Sequence, residues 1–139
     1  MPSGKRRRPD DPWAWMDRAR SNLIRARQRL PNVYLEDLCF DAQQAAEKAL
    51  KALCIERGIE FPYVHDLARL ITLLQDEGQP VPDEVTEAGR LTRYAVFTCY
   101  PGLDDPVTEE DHNRAVSIAE RVVEWVEDRL DAGGGTPDS

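Results

Sequence analysis

Side chains able to move protons or hold phosphate are sparse in this 139-residue chain, and their spacing limits what they can do. There are two histidines. His65 stands beside Asp66 just ahead of an apolar-periodic run. It reads as a cap or packing residue or, alternatively, as a base working near neutral pH. His112 falls among Glu109, Glu110 and Asp111, so a surface position beside a carboxylate is expected. Arg90 and Arg93 precede Tyr94, Phe97 and Tyr100. Salt bridges beside core aromatics are one reading of them. Phosphate binding is the other, because a guanidinium matches phosphate oxygens through two parallel hydrogen bonds. There is no Gly-rich phosphate loop, His-Glu-x-x-His, paired-acid motif or nucleophile elbow. No catalytic residue, metal site or cofactor is therefore expected.

The three cysteines, Cys39, Cys54 and Cys99, do not form a Cys-x-x-Cys pair. Cys39 and Cys54, fifteen residues apart on one predicted helix, are separated by about 22 Å and cannot bridge. They are expected to be plain thiols.

Whatever chemistry exists must be positioned by helices. The chain is 41% hydrophobic and 32% charged, which fits one soluble domain with a single core. No apolar run approaches the roughly 20 residues needed to span a bilayer. The basic N-terminus is not followed by an apolar signal segment, so a cytoplasmic protein is expected. The net charge of −8 is uneven: residues 1–30 carry nine Lys/Arg against three Asp, +6, and the remainder nine against twenty-three acids, −14. The first helix and its arm could bind the acidic body, an acidic partner or nucleic acid.

Residues 1–10, with the run KRRR, read as a disordered basic arm. Asp11-Pro12 is a helix start, since Asp accepts orphan N–H groups and Pro has none to satisfy. Trp13, Met16, Ala19, Leu23, Ala26 and Leu30 then follow at helical spacing up to Pro31. Arg18, Arg25 and Arg29 form one polar row, Arg20 and Arg27 another. Tyr34–Gly58 is the longest predicted helix. Leu35, Leu38, Ala42, Ala45, Ala49 and Leu53 lie on its inner face, and Gln44, Glu47, Lys48 and Lys51 are expected outside. There Glu47 and Lys51 make an exposed i,i+4 pair worth a few tenths of a kcal/mol.

A third helix carries Leu67, Leu70, Ile71 and Leu74 and ends at Gly78. After the stiff QPVP link, a fourth starts near Asp83, directs Val85, Ala88, Leu91 and Ala95 inward and stops by Tyr100-Pro101-Gly102. Gly89 within it marks a close helix approach. Thr108 and Asp111 resemble a capping box for a fifth helix with Ala115, Ile118, Val122, Trp125 and Val126 inside. Residues 132–139 read as a flexible tail. The expected fold is all-α, an antiparallel up-and-down bundle of four to five helices over residues 11–131.

These segments also resemble a known family, the HEPN domains (higher eukaryotes and prokaryotes nucleotide-binding). The likeness rests on FDAQQAAEKALKAL at Phe40–Leu53, His65-Asp66-Leu67 opening the next helix, LTRYAVFTCYP at Leu91–Pro101 and the stretch Ala119–Val126. It covers about residues 11–131. The resemblance implies a helical bundle that is often a homodimer. It also implies a minimal nucleotidyltransferase partner in a toxin–antitoxin-like pair, with a nucleotide or RNA as possible ligand and no membrane association.

Catalytic members of the family are metal-independent ribonucleases using an Arg followed four to six residues later by a His. This chain departs from that pattern. After Arg90 and Arg93 the next histidine is His112, and between Arg57 and His65 lie seven residues. Cys99 stands where related sequences carry the Arg of an Arg-Tyr-Pro segment. The expectation is a non-catalytic interaction or nucleotide-binding module, with Lys48, His65 and Arg93 as nucleotide- or phosphate-binding candidates. The alternatives are a ribonuclease toxin with a displaced Arg/His site, or an RNA or nucleotide binder that does not cleave.

Overall fold

The computed structural model describes residues 10–63, 65–97 and 106–132. The basic arm up to residue 9, the segment holding Cys99 and Tyr100-Pro101-Gly102, and the tail from residue 133 lie outside them. Helix α1 (Pro12–Ala26) begins where Asp11 Oδ1 accepts the Trp13 N–H at 2.8 Å, with Pro12 in the first turn. It ends at Ala26, not at Pro31, and Leu30 is exposed. A proline at 31 disfavours helical backbone at Leu30 and would clash with the carbonyl four residues back, so the chain leaves the helix a turn early. It reverses through Asn32, whose φ of 67° is left-handed.

Helix α2 (Leu35–Glu56) packs against the helices before and after it and against the last one, and its alanines 42, 45, 46 and 49 are fully buried. Gly58, at φ 71°, closes it: Ile59 N–H reaches Cys54 O at 2.8 Å and Gly58 N–H reaches Ile55 O at 3.1 Å. That pair of bonds satisfies two carbonyls the helix end would orphan. Helix α3 (Leu67–Asp76) ends the same way at Gly78, with Gln79 N–H on Leu74 O at 3.0 Å. Asp66 caps its start through a 3.4 Å contact with the Arg69 N–H.

The expected fourth helix is a composite. Helix α4 (Asp83–Thr86) runs into a 3₁₀ segment (Glu87–Thr92) and then α5 (Arg93–Phe97). Val85, Ala88, Leu91 and Ala95 still face inward, because either winding returns every third or fourth residue to the core. Gly89 lies where α3 passes: a Cβ there would sit 3.5 Å from Ala68 Cβ.

Helix α6 (Glu109–Ala132) opens on the expected reciprocal cap, Asp111 N–H to Thr108 Oγ1 at 3.1 Å and Thr108 N–H to Asp111 Oδ2 at 3.0 Å. Its pairing with α1 is antiparallel, read from Arg20 with Glu127, Arg27 with Glu120 and Arg29 with Glu109. The fold is thus an all-α antiparallel bundle. Among the described residues no helix is long and apolar enough to cross a membrane.

Candidate functional site

Two polar clusters gather on α2, and both differ from the expected solvated face. Glu47 and Lys51 are buried, and Lys51 Nζ donates to Glu47 Oε2 at 2.8 Å. Burial occurs because Ile59 and Phe61, past the end of α2, pack back against the core, with Phe61 against Trp15 of α1, edge to face at 6.4 Å. The Lys51 ammonium lies 5.9 Å from the Trp15 ring and 5.5 Å from the Phe61 ring, cation–π distances that partly replace lost water. Gln43 Nε2 donates to Glu47 Oε1 at 2.8 Å and to the His65 carbonyl at 3.3 Å.

His65 Nδ1 lies 2.9 Å from Glu47 Oε1. A carboxylate can only accept, so Nδ1 carries the proton and Nε2 is the ring nitrogen Glu47 leaves unengaged. His65 thus has an acid partner that its sequence neighbours did not reveal, while its side chain remains 65% exposed. Burial pushes the Glu47 carboxyl up, but hydrogen bonds from Lys51, His65 and Gln43 outweigh it and hold the carboxyl below its ordinary value.

The second cluster joins α1 to α2. Lys48 Nζ donates to Asn22 Oδ1 at 2.7 Å, and Asn22 Nδ2 donates to Asp41 Oδ1 at 3.0 Å. Arg25 reaches the same Asp41 oxygen at 3.5 Å. Burial first, and the Arg18 guanidinium second, lower the Lys48 ammonium below the usual lysine range. Lys48, half-buried, thus gives one of its three donors to the helix seam.

Arg93 lies elsewhere, in a cleft of about 270 Å³ between α6 and the composite helix. Arg90, Arg93 and Arg114 line it with Tyr94 and Asp111, and the Arg93 guanidinium stands 5.6 Å from the Tyr94 ring. Arg114 also reaches Glu110 at 3.4 Å. Asp111 is held below the ordinary carboxylate range, chiefly by the Thr108 backbone N–H. Burial raises the Tyr94 hydroxyl. Arg114 was missed as a candidate because it is remote in sequence from Arg93. An i,i+4 partner at Glu110 is what the sequence shows of it; the cleft is created by tertiary packing.

The three candidate residues are not brought to one place: Lys48 faces α1, His65 is tied to Glu47, and Arg93 belongs to the arginine cleft. His112 is not a surface residue. It is buried, and Nε2 donates to the Ala26 carbonyl at 2.7 Å, capping the end of α1. The turn at Pro31 ends α1 early and leaves that carbonyl within reach. Cys39 and Cys54 are buried free thiols, and burial pushes them up to about 12 and about 11. Among the described residues no group of three His, Cys, Asp or Glu could hold a metal ion.

Comparison with known proteins agrees with this architecture. Residues 13–129 match the family model described as the HEPN domain. The crystal structure of ST0689, an archaeal HEPN homologue, is similar at 28% identity and TM-score 0.69, over 86% of this chain and 97% of that one. TT1696 from Thermus thermophilus is similar at 32% identity and TM-score 0.73, over 87% of this chain and 99% of that one. No curated protein matches. With the family model spanning nearly the whole helical region and both structures sharing the bundle, the chain belongs to the HEPN domain family.

Proposed function

We propose that this HEPN protein is a binding module for a phosphate-bearing ligand, a nucleotide or an RNA phosphate. In this reading it does not cleave that ligand and works beside a nucleotidyltransferase-type partner in a toxin–antitoxin-like pair. The observation that carries the ligand reading is the cleft lined by Arg90, Arg93 and Arg114, three cations against the single carboxylate of Asp111. Arginines from two elements around one concavity supply the planar donor forks that match phosphate oxygens. At about 270 Å³ the cleft lies below the roughly 300–1,000 Å³ of ordinary small-molecule sites, so it suits a phosphoryl group better than an enclosed nucleotide. Lys48 and His65 stand apart from this cleft and each already gives one hydrogen bond, to Asn22 and Glu47, so they are secondary to the arginines in this reading.

Titration with ATP and with a short single-stranded RNA at two salt concentrations tests the ligand. Binding should weaken as salt rises, because phosphate contacts release counterions. It should fall at least tenfold in Arg93→Ala and Arg90→Ala. Affinity unaltered in both variants would remove the cleft from the reading. Co-purification with the product of an adjacent gene tests the partner, and a gene neighbourhood without a nucleotidyltransferase would count against the pairing.

One contact favours a second reading, a ribonuclease with a displaced site. Thr92 Oγ1 accepts the Leu67 N–H at 3.0 Å, which brings the start of α3, just after His65, against the residue preceding Arg93. On that reading His65, held through Nδ1 by Glu47, moves the proton and Arg93 holds the phosphate. Growth arrest on expression, relieved by His65→Ala, would support it; intact RNA after incubation with the purified protein would rule it out.

A further inference from the structure

The polar cluster on α2 that the arginine cleft leaves unused ends in His65, which is held at two points. Its ring nitrogen Nδ1 lies 2.9 Å from Glu47 Oε1. Its carbonyl accepts from Gln43 Nε2 at 3.3 Å, and the same amide donates to Glu47 Oε1 at 2.8 Å. Gln44 Nε2 donates in turn to Gln43 Oε1 at 2.7 Å, which fixes the Gln43 amide with its nitrogen toward Glu47 and His65. The Glu47 side chain is 4% exposed and also pairs with Lys51, whereas the His65 side chain is 65% exposed. A buried, ionised carboxylate thus fixes an exposed imidazole in the tautomer protonated at Nδ1, and among the described residues no hydrogen bond engages Nε2.

An imidazole in that state is a nucleophile. When the Nε2 lone pair attacks, the ring becomes positive, and a carboxylate on Nδ1–H stabilises that charge. General-base work would need a second group holding a substrate beside the ring, and Arg90, Arg93 and Arg114 line a different cleft. A nucleophile needs access and an activated acceptor. A phosphoryl group suits the position, because His65 immediately precedes the N-cap of the ten-residue α3, and the positive end of a helix favours added negative charge. His112 is the contrast within the same chain. It is buried, its Nε2 donates to the Ala26 carbonyl, and its Nδ1 is buried as well.

We propose that His65 is a phosphoryl-acceptor site that takes its group from a phosphoramidate, a phosphoryl carried on protonated nitrogen. The Nε2 lone pair forms the new N–P bond as the P–N bond of the donor breaks. The donor nitrogen leaves with the bonding pair and the protons it already carries, as a neutral amine. His65 keeps its Nδ1 proton, and Glu47 acts as a positioning residue facing the phospho-imidazolium. The site shares no residue with the arginine cleft and stands independently of the ligand reading.

Incubation of the full-length protein with potassium phosphoramidate near neutral pH, followed by intact-mass measurement and peptide mapping, tests it. The folded wild type should gain one phosphoryl group, on His65, stable in alkali and lost in acid. His65→Gln should gain none. The wild-type rate should exceed that of N-acetylhistidine in the same buffer by about tenfold or more, the usual worth of a carboxylate behind a histidine. In Glu47→Gln, checked for a cooperative melt, the rate should fall to the N-acetylhistidine value. Nitrogen NMR of the unmodified wild type needs no variant and should place the His65 proton on Nδ1. A wild-type rate no faster than N-acetylhistidine overturns the proposal. So does a first label on His112, or a His65 proton found on Nε2.

Discussion

Among single side chains, Glu47 and Lys51 make the costliest electrostatic commitment. Both are removed from water, and each satisfies the other together with Gln43, His65 and two aromatic rings. Removing one member of a buried pair leaves the other charge uncompensated, at a cost of about 3–5 kcal/mol. Glu47→Ala should therefore lose about 3 kcal/mol or more in urea unfolding. By contrast, Glu120→Ala, which breaks the half-exposed contact to Arg27, should lose less than about 1 kcal/mol.

Glu47 also ties stability to pH. Its folded carboxyl lies below the ordinary value of 4.5, so its contribution is complete above that pH and is lost as pH falls through the lower folded value. The urea midpoint of the wild type should drop as pH falls below about 4.5, and Glu47→Gln should flatten that drop. The buried cysteines give a second check at this scale. With thiols pushed up to about 12 and about 11, Cys39 and Cys54 should not react with a thiol reagent at about pH 8 until the protein is unfolded. At most one of the three thiols should be titrated in the folded state.

At the level of elements, helix ends decide the geometry. Gly58 and Gly78 hold φ values of 71° and 89°, with nothing within 4 Å of where a Cβ would stand. Substitution there is a test of backbone conformation alone. Gly58→Ala and Gly78→Ala should each cost about 1 kcal/mol, the penalty of a side chain in left-handed backbone, read as a lowered melting temperature. Both glycines were readable as helix stops, because the cap needs that conformation and glycine supplies it at least cost. The reciprocal Thr108–Asp111 cap was readable for a similar reason: its partners are three residues apart. The end of α1 was not. The apolar spacing runs on to Leu30, and only the restriction Pro31 places on the preceding turn, expressed as a chain reversal at Asn32, shows that Leu30 leaves the stripe.

For the whole molecule, packing density around α2 sets the tolerance to change. Ala45, Ala46 and Ala49 are fully buried where neighbouring helices close on α2. Enlarging one of them forces side chains off their rotamers or separates helices. Ala46→Leu should destabilise the protein by about 1–3 kcal/mol in denaturant unfolding. The charge asymmetry of the chain also resolves at this scale. Arg20 of α1, with Arg27 and Arg29 just past its end, pairs with Glu127, Glu120 and Glu109 of α6, so part of the basic N-terminal stretch neutralises the acidic body of its own chain.

The amino-acid sequence by itself determined the helical class, the inner stripes apart from Leu30, the glycine stops and the family. These depend on local periodicity, on backbone preferences of Gly and Pro, and on a motif contained within α2 and its continuation. The tertiary structure alone decided which polar residues are exposed. Glu47 and Lys51 look solvated by helical period, yet the returning link bearing Phe61 and His65 buries them. His112 looks like a surface residue among three acids, yet the shortened α1 draws it inside to its own terminal carbonyl. Arg114 meets Arg90 and Arg93 only because α6 lies along the composite helix. In each case the deciding contact joins residues eighteen or more positions apart, and no pattern within one helix turn carries that information.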